Sequence, residues 1–134
     1  MMVLEITKKW GTSLKTRFVE ALKHFDSLGM DDSPRIYHGI VDAGTGVVMG
    51  YVCTQCNWEQ HIAIPHLYVR PAFKHRTVLE DIKKLFKQSY IPEVKAQGFT
   101  HLMTSCDADD HHTGQLLYDL GFSLQYVCCA SLDI

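Results

Sequence analysis

A chain of 134 residues with 46% hydrophobic and 21% charged residues has enough material for one buried core, at a formal net charge of −2. Its 9 glycines and 4 prolines exclude a collagen-like or low-complexity chain. No apolar run approaches the roughly 18 residues of a membrane span, MMVLEITKKW is too short in its apolar part for a secretory signal, and the lack of a basic excess argues against general nucleic-acid binding.

Residues 3–7 alternate apolar and polar side chains and predict a first strand. Thr12 or Ser13 can cap the helix that follows, in which Leu14, Phe18, Ala21, Leu22, Phe25 and Leu28 recur at helical spacing until Gly29 stops it. Asp31-Asp32-Ser33-Pro34 is a turn. Residues 36–41 and 47–53 flank Asp42-Ala43-Gly44-Thr45-Gly46 and predict a β-hairpin, with a second turn at 56–60. Residues 61–69 read as the next strand, and Pro65 inside it, which cannot donate to a ladder, predicts a bulge or break there.

A helix is expected from 76 to 87, with Val78, Ile82, Leu85 and Phe86 as its apolar stripe; it bends or restarts at Pro92 and ends at Gly98. Residues 99–106 form a strand, 107–112 a polar loop, 113–120 a short helix stopped by Gly121, and 122–132 one closing strand. The order β-α-β-β-β-α-β-α-β, with a crossover from His61 to Cys106 between parallel neighbours, predicts an α/β fold on a mixed central sheet. No linker or repeat interrupts the chain, so residues 1–134 are expected to form one domain.

Three motifs, in this order, resemble the GNAT superfamily, the Gcn5-related N-acetyltransferases. They are Leu67-Tyr68-Val69-Arg70-Pro71 at a strand end before the long helix, that helix with its closing Ala96-Gln97-Gly98-Phe99, and Leu116-Leu117-Tyr118-Asp119-Leu120-Gly121-Phe122. The resemblance spans residues 36–126. It implies a splayed parallel strand pair whose gap receives the pantetheine arm of acetyl-CoA, with backbone groups of Leu67 and Val69 bonding to that arm as a sheet edge bonds an added strand. It also implies that the chain lacks the family's second early helix and its final strand.

The family holds the CoA pyrophosphate with Q/R-x-x-G-x-G/A at the start of the long helix, where glycines allow close backbone approach and the helix N-terminus supplies donors. Here Lys74 takes the Q/R place, and Thr77 and Leu79 take the glycine places. Lys74, His75 and Arg76 can compensate with charge. A Cβ at Thr77, which does not readily adopt positive φ, implies that acetyl-CoA binding is weakened, altered or lost. The family's asparagine seven residues before the tyrosine is replaced by His111.

In the family the residue matching Tyr118 protonates the departing CoA thiolate, a role that suits a phenol; the alternative is that Tyr118 packs a short helix. His66 is the candidate base for the attacking amine, with His61 and Glu59 behind it; the alternative is a hydrogen-bonded strand histidine. Cys53-x-x-Cys56 with His61 and His66 offers four zinc ligands. Only four residues separate Cys56 from His61, and a redox CxxC should open a helix rather than end a strand, so no metal is expected. Asp107, Asp109, Asp110, His111 and His112 lack an EF-hand's glycine and distal glutamate and read as a solvated loop. The odd count of five cysteines argues against a disulfide framework and for a reducing cytoplasm, with most of them small buried apolar groups.

Charge is unevenly placed: residues 70–95 carry +4, residues 96–134 carry −5 and residues 1–69 carry −1. The basic stretch lies where CoA phosphates would bind, and the acidic end could attract a cationic amine. The function the resemblance implies is acetyl transfer from acetyl-CoA to a primary amine, on a small molecule or a protein, by direct attack. A homo-oligomer is compatible with it; nucleic acid and membrane are not expected partners. The alternative is a non-catalytic binding or structural protein of GNAT shape, such as bacteriophages encode.

Overall fold

A computed structural model describes residues 2–6, 12–27, 34–105, 111–126 and 129–134 of the protein. Among these residues, seven strands form one mixed sheet in the order β1-β2-β3-β4-β5-β7-β6. Strand β1 (Met2–Ile6) pairs antiparallel with β2 (Arg35–Asp42), and helix α1 (Thr12–Ser27) lies between them in the chain. The β2–β3 hairpin turns where Asp42 folds back on itself, its carboxylate accepting from Gly44 N at 3.3 Å and from Thr45 Oγ1 at 2.7 Å. Those two bonds hold the Asp42 carboxyl below the usual carboxylate range.

Strand β3 (Val48–Asn57) runs four residues further than its apolar pattern predicts. Thr54, Gln55 and Cys56 are buried strand residues, and the turn begins at Trp58. The polar side chains tolerate burial because they are bonded: Thr54 Oγ1 lies 2.6 Å from Tyr90 Oη and Gln55 Oε1 lies 2.7 Å from His66 Nε2. Strand β4 (Ile62–Val69) follows antiparallel to β3.

The long helix is one rod in three parts: α2 (Arg76–Leu85), a π turn (Phe86–Tyr90) and α3 (Ile91–Ala96). Pro92 has no N–H and would crowd a regular turn; the widened π turn immediately before it absorbs that misfit. Gly98, at φ 102, ends the rod. Val78, Leu79, Ile82, Leu85, Phe86, Tyr90 and Val94 bury the rod against Ile40, Val52, Cys56, Ala63 and Leu102 of the sheet. On the opposite face Ala21 and Phe25 of α1 bury Val48, Tyr51 and Cys53.

Strand β5 (His101–Ser105) is parallel to β4, and helix α4 (His111–Asp119) follows it. The expected closing strand is two strands, β6 (Ser123–Tyr126) and β7 (Cys129–Asp133), paired antiparallel, with β7 inserted beside β5. The chain therefore has the final strand it was expected to lack. The caps at Thr12 or Ser13, the stop at Gly29, the turn at 31–33, the 107–110 acidic cluster, Cys106 and Cys128 lie outside the described residues and side chains. Among the described residues no helix is long and apolar enough to cross a membrane.

Candidate active site

The site is built on β4. Along a strand the backbone groups of successive residues point alternately to its two neighbours. His61 O accepts from Thr100 N at 2.9 Å, and Pro65 O accepts from Thr104 Oγ1 at 2.7 Å, both on the β5 side. Arg70 N instead reaches Met49 O at 3.0 Å on the β3 side. Odd-numbered residues of β4 thus face β5, and even-numbered ones face β3.

The β3–β4 ladder runs without a shift from Gly50↔Val69 to Asn57↔Ile62. The bulge expected at Pro65 is absent from it, because the missing proline N–H lies on the other edge. Pairing to β5 is what ends: it covers only Ile62↔His101 and Ala63↔Leu102. Thr104 spans the strands once more at Pro65, and past that point Leu67 and Val69 direct N–H and C=O into the opening between β4 and β5.

After Val69 the chain makes a 3₁₀ turn (Pro71–Phe73) and enters α2, whose start therefore sits at the open end of that gap. Arg70 fixes the turn: Nη1 donates to Val48 O at 2.9 Å, Nε lies 3.6 Å from Glu20 Oε2, and the guanidinium sits 5.7 Å from the Phe73 ring centroid. His75 is extended, and the first bond along the helix runs from Leu79 N to His75 O at 3.1 Å. The N–H groups of Arg76, Thr77 and Val78 accordingly have no acceptor within the helix. Lys74, Arg76 and Thr77 are exposed around them.

The other face of β4 looks toward α1. Tyr37, Cys53 and His66 form one cross-strand row on β2, β3 and β4. His66 is half-buried, and burial, then Arg35 and His24, push its imidazole pKa down. Tyr68 donates to Glu20 Oε1 at 2.5 Å and packs on His24, with ring centroids 4.8 Å apart. Burial and that acceptor push the Tyr68 phenol up to about 12.

No protein-family model matches the sequence, and no curated protein matches it. Solved structures do match in fold. A dodecameric spermidine N-acetyltransferase from Vibrio cholerae in an intermediate state superposes with a TM-score of 0.73 at 12% identity, over 98% of this chain and 93% of that one. The N-acetyltransferase PseH of Campylobacter jejuni, in complex with acetyl coenzyme A, gives 0.67 at 14% identity over 99% of each chain. A GCN5-related N-acetyltransferase from Kribbella flavida gives 0.61 at 17% identity over 78% of this chain and 71% of that one. The fold is that of the GNAT acetyltransferases. The bacteriophage alternative finds no support in these comparisons.

Thr77 and Leu79, which stand at the glycine places of the GNAT pattern, both lie in the first turn of α2. Among the described non-glycine residues only His61 has positive φ, at 58, so Thr77 and Leu79 are ordinary right-handed helical residues. Leu79 turns its side chain into the core, away from the helix start, and only Thr77 adds a side chain there.

Tyr118 is 75% exposed on α4 and has no hydrogen-bond partner among the described residues. It does not pack the helix; Leu117 and Leu120 do. The adjoining Asp119 anchors α4 to α2 through Lys83 Nζ at 3.0 Å, and Lys83 and Gln115 hold its carboxyl low.

Cys53 and Cys56 sit on opposite faces of β3, one in the α1 cluster and one in the α2 cluster, so they cannot share a metal or a disulfide. Burial pushes the Cys53 thiol up to about 11 and raises Cys56, so neither is a ready nucleophile. No cluster of three or more metal-binding side chains occurs among the described residues. Sequence reasoning missed Gln55, Glu20 and Thr104, and gave Arg70 no role beyond its place in the strand-end motif. Gln55 was within reach, since Tyr51, Cys53 and Gln55 share the period-2 face of a strand extended to Asn57.

Proposed function

We propose that the protein transfers acetyl from acetyl-CoA to a primary amine on a small molecule or protein. One observation carries this: a parallel strand pair that separates after Ala63↔Leu102, with a helix start at its open end whose first N–H groups have no acceptor within the helix. Leu67 and Val69 backbone groups would receive the pantetheine arm. Lys74, Arg76 and the N–H groups from Arg76 to Val78 would hold phosphate oxygens, with Thr77 replacing a glycine of the GNAT loop at their edge.

The amine nitrogen attacks the thioester carbonyl carbon and forms a tetrahedral intermediate. Collapse of that intermediate breaks the C–S bond. The amine proton passes to His66, directly or through water, and Tyr118 O–H gives its proton to the sulfur. The depressed pKa of His66 keeps the imidazole neutral, as a base must be. Both groups reset by exchange with solvent.

Calorimetric titration with acetyl-CoA tests the reading. Binding is expected, together with a rise in thermal stability. Lys74→Glu with Arg76→Glu should weaken binding about a hundredfold, from two lost charge-assisted contacts. Tyr118→Phe should slow transfer about a hundredfold or more while leaving acetyl-CoA affinity unchanged. No binding at millimolar acetyl-CoA would leave the non-catalytic binding protein as the reading.

A further inference from the structure

The pairing of Gln55 with His66 has a consequence for the chemistry of His66. Gln55 is on β3 and only 8% exposed, and its Oε1 lies 2.7 Å from His66 Nε2 across the strand boundary. An amide oxygen has lone pairs and no hydrogen, so it can only accept. A neutral imidazole carries one N–H, and with the amide turned so that Oε1 faces the ring, as here, the ring nitrogen facing it is the one that bears it. The other nitrogen, Nδ1, then holds the lone pair, and it has no hydrogen-bond partner among the described residues.

We infer that Gln55 is a positioning residue: it fixes His66 as the Nε2–H tautomer and leaves Nδ1 as the atom that takes the proton. The role given to Nδ1 rests on the transfer reaction above; the tautomer does not. The groups facing His66 support a neutral ring. On β3 the opposite residue, Cys53, is a buried thiol that stays protonated. Arg35 on β2 and His24 on α1 disfavour a second positive charge, and Tyr68 on β4 itself is engaged by Glu20. A purely structural Gln–His pair would need only that the two groups be satisfied. A positioning pair requires that one tautomer dominate and that its loss change proton transfer.

Ring nitrogen NMR on protein labelled with ¹⁵N-histidine decides the point. The wild-type His66 is expected as a single Nε2–H tautomer at pH 7. Gln55→Leu should give a mixture of both tautomers, and with acetyl-CoA and spermidine as the probe amine it should lower kcat about tenfold or more at unchanged KM for acetyl-CoA. Gln55→Glu keeps an acceptor, so it should retain the tautomer and move the acidic limb of the pH profile up by about one unit. An Nδ1–H tautomer in the wild type, or an unchanged tautomer ratio in Gln55→Leu, would overturn the inference. Should Gln55→Leu fail to fold, the wild-type and Gln55→Glu spectra still decide it. A single Nε2–H tautomer in a protein that neither binds acetyl-CoA nor turns over would support the tautomer assignment and overturn both the transfer reading and the role given to Nδ1.

Discussion

The two edges of β4 are held very differently. Against β3 it pairs along its whole length, from Ile62 to Val69, in one unbroken register. Against β5 it pairs at Ile62 and Ala63 only. A strand left unpaired on one edge exposes a row of donors and acceptors that ordinarily invites aggregation. Here the firm edge fixes the strand's position, and the open edge is confined to its last residues, where the start of α2 also lies. The contrast separates the part of the molecule that carries stability from the part available to a ligand.

The firm edge is the easier one to break. Gly50 lies opposite Val69, and a Cβ built on it would sit 2.6 Å from Tyr68 O and 3.3 Å from Val69 Cα. Both atoms are backbone, so nothing flexible can move aside. Gly50→Ala should cost about 2–3 kcal/mol, seen as a fall of about 10 °C in calorimetric Tm. A Tm within a degree or two of wild type would mean that this edge has slack the close approach denies.

The junction between the edges is a single side chain. Thr104 Oγ1 donates to Pro65 O at 2.7 Å, in the interior, at the place where ladder pairing has stopped and the gap has not yet opened. Thr104→Val keeps the shape and leaves a buried carbonyl without a donor. The expected loss is about 1 kcal/mol in urea unfolding at an unchanged m-value. An equal loss in Thr104→Ser, which keeps the hydroxyl, would assign the effect to packing instead of to the bond.

The firm half was the more legible in sequence. Turn residues mark the β2–β3 hairpin, and apolar spacing with a stopping glycine marks the α2–α3 rod. The reversal between β6 and β7 carries no such residue: Val127-Cys128 reads as more strand, so one strand was expected where two exist. Cys56 read as turn and Gln55 as part of no element, and the burial of Gln55 depends on a partner further along the chain, His66. Pro65 announced a missing donor but not which neighbour it faced, and that choice decides between a bulge in one ladder and an opening beside another. The glycine positions of the phosphate loop could be aligned by motif, yet only the helix start shows that Leu79 points into the core. In each case the local pattern was readable and the partner across the sheet was not.

The smallest expected effect concerns His66, whose side chain is half-buried between the firm edge and α1. Its folded pKa lies below the ordinary value of 6.5, chiefly through burial and then through Arg35 and His24. Below pH 6.5 the unfolded chain therefore binds more protons at this site than the folded one does. Stability contributed here rises with pH and is lost as pH falls from neutral to below the ordinary value of 6.5, where the half-buried ring must either stay neutral at a cost or take on charge beside Arg35 and His24. The difference in unfolding free energy between wild type and His66→Gln should accordingly shift in the variant's favour across that window, since glutamine has no proton to gain. A pH-independent difference would mean that the ring is solvated as freely as an unfolded one, and the neutral base the transfer reaction needs would have to come from elsewhere.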